Sequence, residues 1–152
     1  AYAVHPIAAV QMEYNPFCLE IESPKYRLLE VARELGVAIV AYSPLANGVL
    51  TGAIRSRDDV SKPGDVRGWL PWLSEENIQH NLAIVGEIAK IAEAKNVTLS
   101  QLILAWILKQ GSDFFLCPPT ARRHIRRTRR GAVKRTRRSR AYTPATYRRH
   151  HS

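Results

Sequence analysis

From Val37 to Ala41 the chain runs through small and β-branched apolar residues, then stops abruptly at Tyr42-Ser43-Pro44. Because the apolar positions do not alternate with polar ones, the run reads as a strand buried on both faces, as in a parallel sheet covered on each side. Pro44 has no N–H to give a central ladder, which ends the strand there. A loop of small and hydroxyl-bearing residues follows, carrying Asn47-Gly48 and Thr51-Gly52. The carboxyl ends of buried parallel strands are where α/β folds gather their ligands, so residues 37–52 are the stretch around which the rest is organised.

The flanking segments supply what such a strand needs. Ala8–Tyr14 is short and apolar and closes on Asn15-Pro16, consistent with a strand running into a turn. Ser23-Pro24 predicts a helix start, with Ser as N-cap and Pro in the first turn. Leu28, Leu29, Ala32 and Leu35 then form one apolar stripe, and Gly36 stands at the position where a left-handed residue ends a helix. Residues 7–42 therefore read as a βαβ unit. Residues 53–73 show no periodicity and predict a long loop, in which Trp69 and Trp72 are packing anchors rather than substrate contacts; a loop of that length is functional or mobile. Ser74-Glu75-Glu76 opens a second helix that closes at Lys95-Asn96. Thr98 and Gln101 make a capping box for a third helix, with Leu99, Leu102, Ile103, Trp106 and Ile107 as its buried face, running to about Lys109 and stopped by Gly111. Phe114–Cys117 predicts a last strand.

Charge divides the chain in two. Of 23 Lys and Arg residues, 13 fall in 121–152, where there is no acid; residues 1–120 keep 10 against 13 acids, a net charge of −3. The 121–152 segment also has no Leu and a single Ile. It cannot bury enough apolar surface to offset chain entropy, and disorder is expected. Two origins fit so abrupt a change: a reading-frame slip or missed splice site in GC-rich DNA, or a genuine basic arm that binds RNA, DNA or anionic lipid in a salt-dependent way and resembles a nuclear import signal. Cys18 and Cys117 show no metal-like or paired spacing and read as reduced, packed thiols, which favours the cytoplasm. Neither a membrane-spanning run nor a secretory signal is present in the sequence. The chain begins at Ala1 without Met and enters a strand almost at once, as a fragment or an incomplete gene model would.

AYSPLANGVLTG (residues 41–52), the upstream VQMEYNP (10–16) and the downstream TLSQLILAWILKQG (98–111) together resemble the aldo-keto reductase family. They stand in the order and spacing of its sixth and seventh barrel strands and the helix before the eighth, and the likeness covers roughly 4–117. A closed eight-stranded barrel takes about 250 residues. The expectation is therefore an α/β fold, a partial TIM-type barrel of about strands six to eight over residues 1–120, followed by an Arg-rich tail over 121–152.

The resemblance implies reduction of a small carbonyl by hydride transfer from NADP(H). Carried over residue by residue, Gln11 takes the position that hydrogen-bonds the nicotinamide carboxamide and Tyr42 that of the aromatic stacked on the nicotinamide ring. Ser43, Leu45 and Asn47 take loop positions that reach the pyrophosphate, although Gly or Arg is commoner where Asn47 stands. Taken alone, these residues also fit a strand cap at Gln11, a core aromatic at Tyr42 and an ordinary turn at 43–47. The resemblance places the catalytic Asp, Tyr, Lys and His on strands before Ala1. Without a general acid, worth about 10²- to 10⁴-fold, the chain is expected to be inactive alone, with weak or no cofactor binding. His5, before Pro6 at a strand entrance, reads as structural, and Arg122 and Arg123, one position from the register of the 2′-phosphate turn in a segment full of Arg, are not assigned to it. The competing reading is a noncatalytic interaction module, self-associating through open strand edges or binding polyanions through its tail.

Overall fold

The computed structural model describes residues 2–117. Three parallel strands, β1 (Ala9–Glu13), β2 (Ala38–Tyr42) and β3 (Phe114–Leu116), form one sheet in the order β1-β2-β3. Gln11 is in register with Val40, Glu13 with Tyr42, and Val40 with Phe115. Three helices accompany them: α1 (Leu28–Glu34), α2 (Glu75–Ala94) and α3 (Leu99–Lys109). α1 packs on β2, α3 on β3, and α2 on α3. The predicted succession of elements is the observed one.

All three helices serve one face of the sheet. Ile39, Ala41 and Phe114 on that face are buried against Ile103 and Ile107 of α3 and a continuous apolar cluster that takes in Tyr14, Val49, Leu50 and Leu73. Each large side chain so buried contributes about 1.5–3 kcal/mol. The opposite face carries Gln11, Val40, Tyr42 and Phe115, of which Tyr42 keeps 40% and Phe115 55% of their surface. The expectation that β2 is buried on both faces is thus met on one only. Successive side chains in a strand point to opposite sides, and among the described residues nothing lies over the second side.

Several local expectations need correction. Helix α1 begins at Leu28, not at Ser23-Pro24. The Tyr26 and Arg27 N–H groups close a single turn on the Ser23 carbonyl, after which Arg27 enters the left-handed region (φ 49°) and breaks the run. Leu35, expected on the apolar stripe, is exposed. Gly111 follows α3 as expected but without a left-handed φ, and the atoms a Cβ would meet there are the ends of the Asp113 and Arg33 side chains. Helix α2 starts after Ser74 as expected, although the Ser74 hydroxyl makes no capping hydrogen bond. Gly36 adopts φ 67°, Asn96 closes α2 with φ 54°, and both arms of the Thr98–Gln101 capping box form, at 3.2 and 2.9 Å.

Candidate cofactor wall at the carboxyl ends of β1 and β2

β1 and β2 end side by side, with the Tyr14 N–H donating to the Tyr42 carbonyl at 3.3 Å just past the last strand pair. Gln11 and Tyr42 lie on the open face, on neighbouring strands and two registers apart. A half-exposed phenol ring at a strand end is a stacking surface held by the ladder on one side. Glu13, paired with Tyr42 in register, carries the carboxylate among the strand positions of this face, and it accepts a long contact of 3.4 Å from Asn15 Nδ2.

Immediately after Tyr42 the backbone turns sharply. Ser43, Ala46 and Asn47 have φ of 50°, 46° and 54°, and Gly48 has φ of 99°. Left-handed backbone is costly for residues with a Cβ, about 1–3 kcal/mol each in sparsely populated regions. The turn is held by the Ala46 N–H on the Ser43 carbonyl and by the Gly48 and Leu50 N–H groups on the Leu45 carbonyl, at 2.9, 2.9 and 3.2 Å. Leu45 is buried under it with Ala46, Val49 and Leu50, whereas Asn47 is exposed and Ser43 half-buried. A kinked helical stretch, Ala46–Thr51, then ends in the left-handed Gly52, with the Thr51 hydroxyl donating to the Gly48 carbonyl at 2.7 Å. Leu45 therefore offers its backbone and not its side chain to anything bound above.

The long loop is more built than its lack of periodicity implied. It folds into three short helical turns, Arg57–Val60, Val66–Trp69 and Pro71–Leu73, fixed by the Arg57 guanidinium donating to the carbonyls of Leu73 and Gly68 at 2.7 and 2.8 Å. Val60 and Leu73 are fully buried. Trp72 packs against the core as an anchor, but Trp69 does not: it is 88% exposed. Arg67 grips Asp65 through Nε and Nη2, and this holds the Asp65 carboxyl down at about 2; its Nη1 lies near Gly48 of the strand-exit loop.

Below the sheet end lies a polar and aromatic cluster. Tyr14 stacks on Trp106 at 5.4 Å, leans on Phe114 and donates its hydroxyl to Glu22. Burial first, and then Glu22, push its phenol well above the ordinary 10.0. Burial likewise raises the thiol of Cys18. Both cysteines are free, but Cys117, expected to be packed, is exposed at the end of β3.

Two residues were passed over in the sequence. Asn15 reads locally as half of a turn signal, yet its side chain reaches the Ser43 carbonyl at 3.0 Å. His80 sits exposed on α2, and His5 is exposed with its ring near the Pro6 carbonyl. Among the described residues no cluster of His, Cys, Asp and Glu suits a metal ion, and no helix is long and apolar enough to cross a membrane. Arg122, Arg123 and the rest of 121–152 lie outside the described residues.

Comparison with known proteins adds sequence kinship to this geometry. A family model described as "Aldo/keto reductase family" matches residues 2–132. Aldo-keto reductase str7 of Strobilurus tenacellus is 54% identical over 120 residues, covering 79% of this chain and 35% of that protein. Aldo-keto reductase yakc [NADP(+)] of Schizosaccharomyces pombe is 46% identical over 134 residues, covering 88% of this chain and 39% of that protein. The chain thus spans between a third and two fifths of the length of these relatives. In fold it is similar to the glycerol dehydrogenase AKR11B4 of Gluconobacter oxydans, with a TM-score of 0.67 at 22% identity over 96% of this chain and 48% of that one.

Proposed function

The chain belongs to the aldo/keto reductase family of oxidoreductases, and from that premise we propose that residues 1–120 form one wall of a nicotinamide pocket, with NADP(H) as the cofactor and a small carbonyl as the substrate class. The single observation that carries this reading is that Gln11 and Tyr42 share the open face of the sheet on neighbouring strands, with the left-handed loop starting at Ser43 immediately after Tyr42.

The residues present fit such a cofactor. Tyr42 gives a flat, half-exposed surface for an aromatic ring, and Gln11 on the adjacent strand gives a carboxamide able both to donate and to accept. Ser43, the Leu45 backbone and the exposed Asn47 follow at the strand exit, where N–H and hydroxyl donors suit phosphate oxygens. A bound nicotinamide would supply the hydride. The chain's own part is to orient the ring against Tyr42 and keep one of its faces turned outward.

No residue of this wall is assigned the proton-donor role: Tyr42 brings a phenol hydroxyl, but its ring is the stacking surface in this reading. Glu13 stands beside Tyr42 on the neighbouring strand and acts as a hydrogen-bond acceptor there, while His5 and His80 are exposed, one before β1 and the other on α2. We therefore propose that this chain by itself does not turn over, and that it holds the cofactor weakly, near a millimolar Kd or about −4 kcal/mol. Incubating the purified chain with NADPH and a panel of aldehydes tests this: absorbance should fall no faster than in protein-free controls. Catalysed NADPH oxidation would refute it.

A second reading draws on the sheet itself. β1 and β3 are both edge strands, and Phe115 stands exposed on the open face next to Val40. Such surfaces invite pairing with another copy. Sedimentation velocity should then show concentration-dependent oligomers, and a compact monomer at every concentration would exclude it.

A further inference from the structure

Asn15 is 1% exposed and is the buried polar side chain among the described residues. A buried carboxamide is costly unless both its ends are partnered. Here they are: Nδ2 donates to the Ser43 carbonyl at 3.0 Å and Oδ1 accepts from the Phe17 N–H at 2.9 Å. The Asn15 backbone is fixed as well, exchanging hydrogen bonds with Cys18 at 3.2 and 2.9 Å. One residue, clamped in its own turn at the end of β1, thus holds the first carbonyl of the loop that leaves β2.

That carbonyl matters because of what hangs from it. Ser43 is left-handed, its carbonyl also accepts from the Ala46 N–H at 2.9 Å, and Ala46 and Asn47 are left-handed in turn. Released from Asn15, the loop would have easier conformations within reach. Asparagine is the residue type this task needs. Aspartate would set an acceptor against a carbonyl, and alanine would leave the Ser43 oxygen and the Phe17 N–H without these partners.

We propose that Asn15 is a positioning residue: it sets the direction in which residues 43–47 leave the sheet, and so the placement of the groups that face the dinucleotide. The proposal rests on the reading of that loop as a cofactor wall. It acts through Ser43 and needs no contact between Asn15 and the ligand.

Amide exchange followed by NMR on the full chain tests it with Asn15→Asp, in parallel with NADPH titration. Exchange at Ala46 and Gly48 should speed up roughly tenfold or more while Ile103 and Ile107 in α3 are unchanged, and NADPH-induced shifts at residues 42–47 should shrink. Unaltered loop exchange, or the same acceleration in α3, overturns the proposal. If the native chain shows no NADPH-induced shifts, the cofactor reading fails on its own, and the exchange comparison still decides the role of Asn15. Should the variant fail to fold, the native chain carries the test. The Asn15 carboxamide protons should exchange together with Ala46 and Gly48, ahead of Ile107; exchange only in step with Ile107 would overturn it.

Discussion

On the helix-covered side of the sheet, Ile39, Ala41 and Phe114 are at most 3% exposed, whereas across the same strands Tyr42 and Phe115 keep 40% and 55% of their surface. The covered side is a finished core, its layers closed by α3 and by the Tyr14, Trp106 and Phe114 rings. The open side mixes Val40 and Phe115 with Gln11, Glu13 and Tyr42, a composition that is neither a core nor an ordinary solvated face. One side of β2 holds the fold, and the other leaves an aromatic ring and a carboxamide open; under the proposed function, stability and cofactor contact are divided between the two sides.

The largest effect that could break this division is in the core. Ile107→Ala should cost about 2–5 kcal/mol, because a fully buried side chain leaves a cavity, while Val40→Ala on the open side should cost less than about 1.5 kcal/mol. Urea denaturation of both variants measures the contrast, and equal losses would dissolve it.

Next comes Tyr14→Phe, which removes the hydroxyl donated to Glu22 and should cost about 1 kcal/mol. Its pH dependence sharpens the point. Burial, helped by Glu22, raises the phenol above 10.0, so the folded state holds that proton more tightly than the unfolded chain does. The stability gained is whole below pH 10 and is lost as pH climbs above it, with the Cys18 thiol adding a loss of the same sign that starts near its ordinary 9.0. The Phe variant should show a shallower alkaline decline in urea midpoints.

Tyr42→Ala should change stability by under about 1 kcal/mol, since the ring is half in water, yet abolish any NADPH-induced shift at Gln11. A large stability loss with the shifts intact would place Tyr42 with the core instead. The smallest effect concerns Asp65, half-buried beside Arg67 and held by it at about 2. Its contribution is present above its ordinary 3.8 and disappears as pH falls toward 2, so Asp65→Asn should lower the neutral urea midpoint slightly and flatten the acid limb.

The parts of this architecture legible in the sequence are those decided locally. The Thr98–Gln101 box, the Gly36 stop and the end of β2 at Pro44 each depend on residues within a few positions. The start of α1 was misread because a left-handed Arg27 interrupts a run that Ser23-Pro24 opens properly, and neither Arg27 nor its neighbours advertise that break. Asn15 went unnoticed because its partner Ser43 is 28 residues away and no local pattern links them. Trp69 and Trp72 look alike in WLPW, and only the packing of the whole loop separates the exposed one from the anchor. The apolar run at 37–41 predicted cover on two sides, and the second side is the one that the described residues leave open.

The most direct measurement of the central claim is an NADPH titration of the isotopically labelled full chain, followed residue by residue to millimolar cofactor. Weak, saturable shifts should gather at Gln11 and across Tyr42, Ser43, Leu45 and Asn47, with α1 and the outer surface of α2 silent. Shifts confined to the helices, or an open face that does not respond at all, would contradict it.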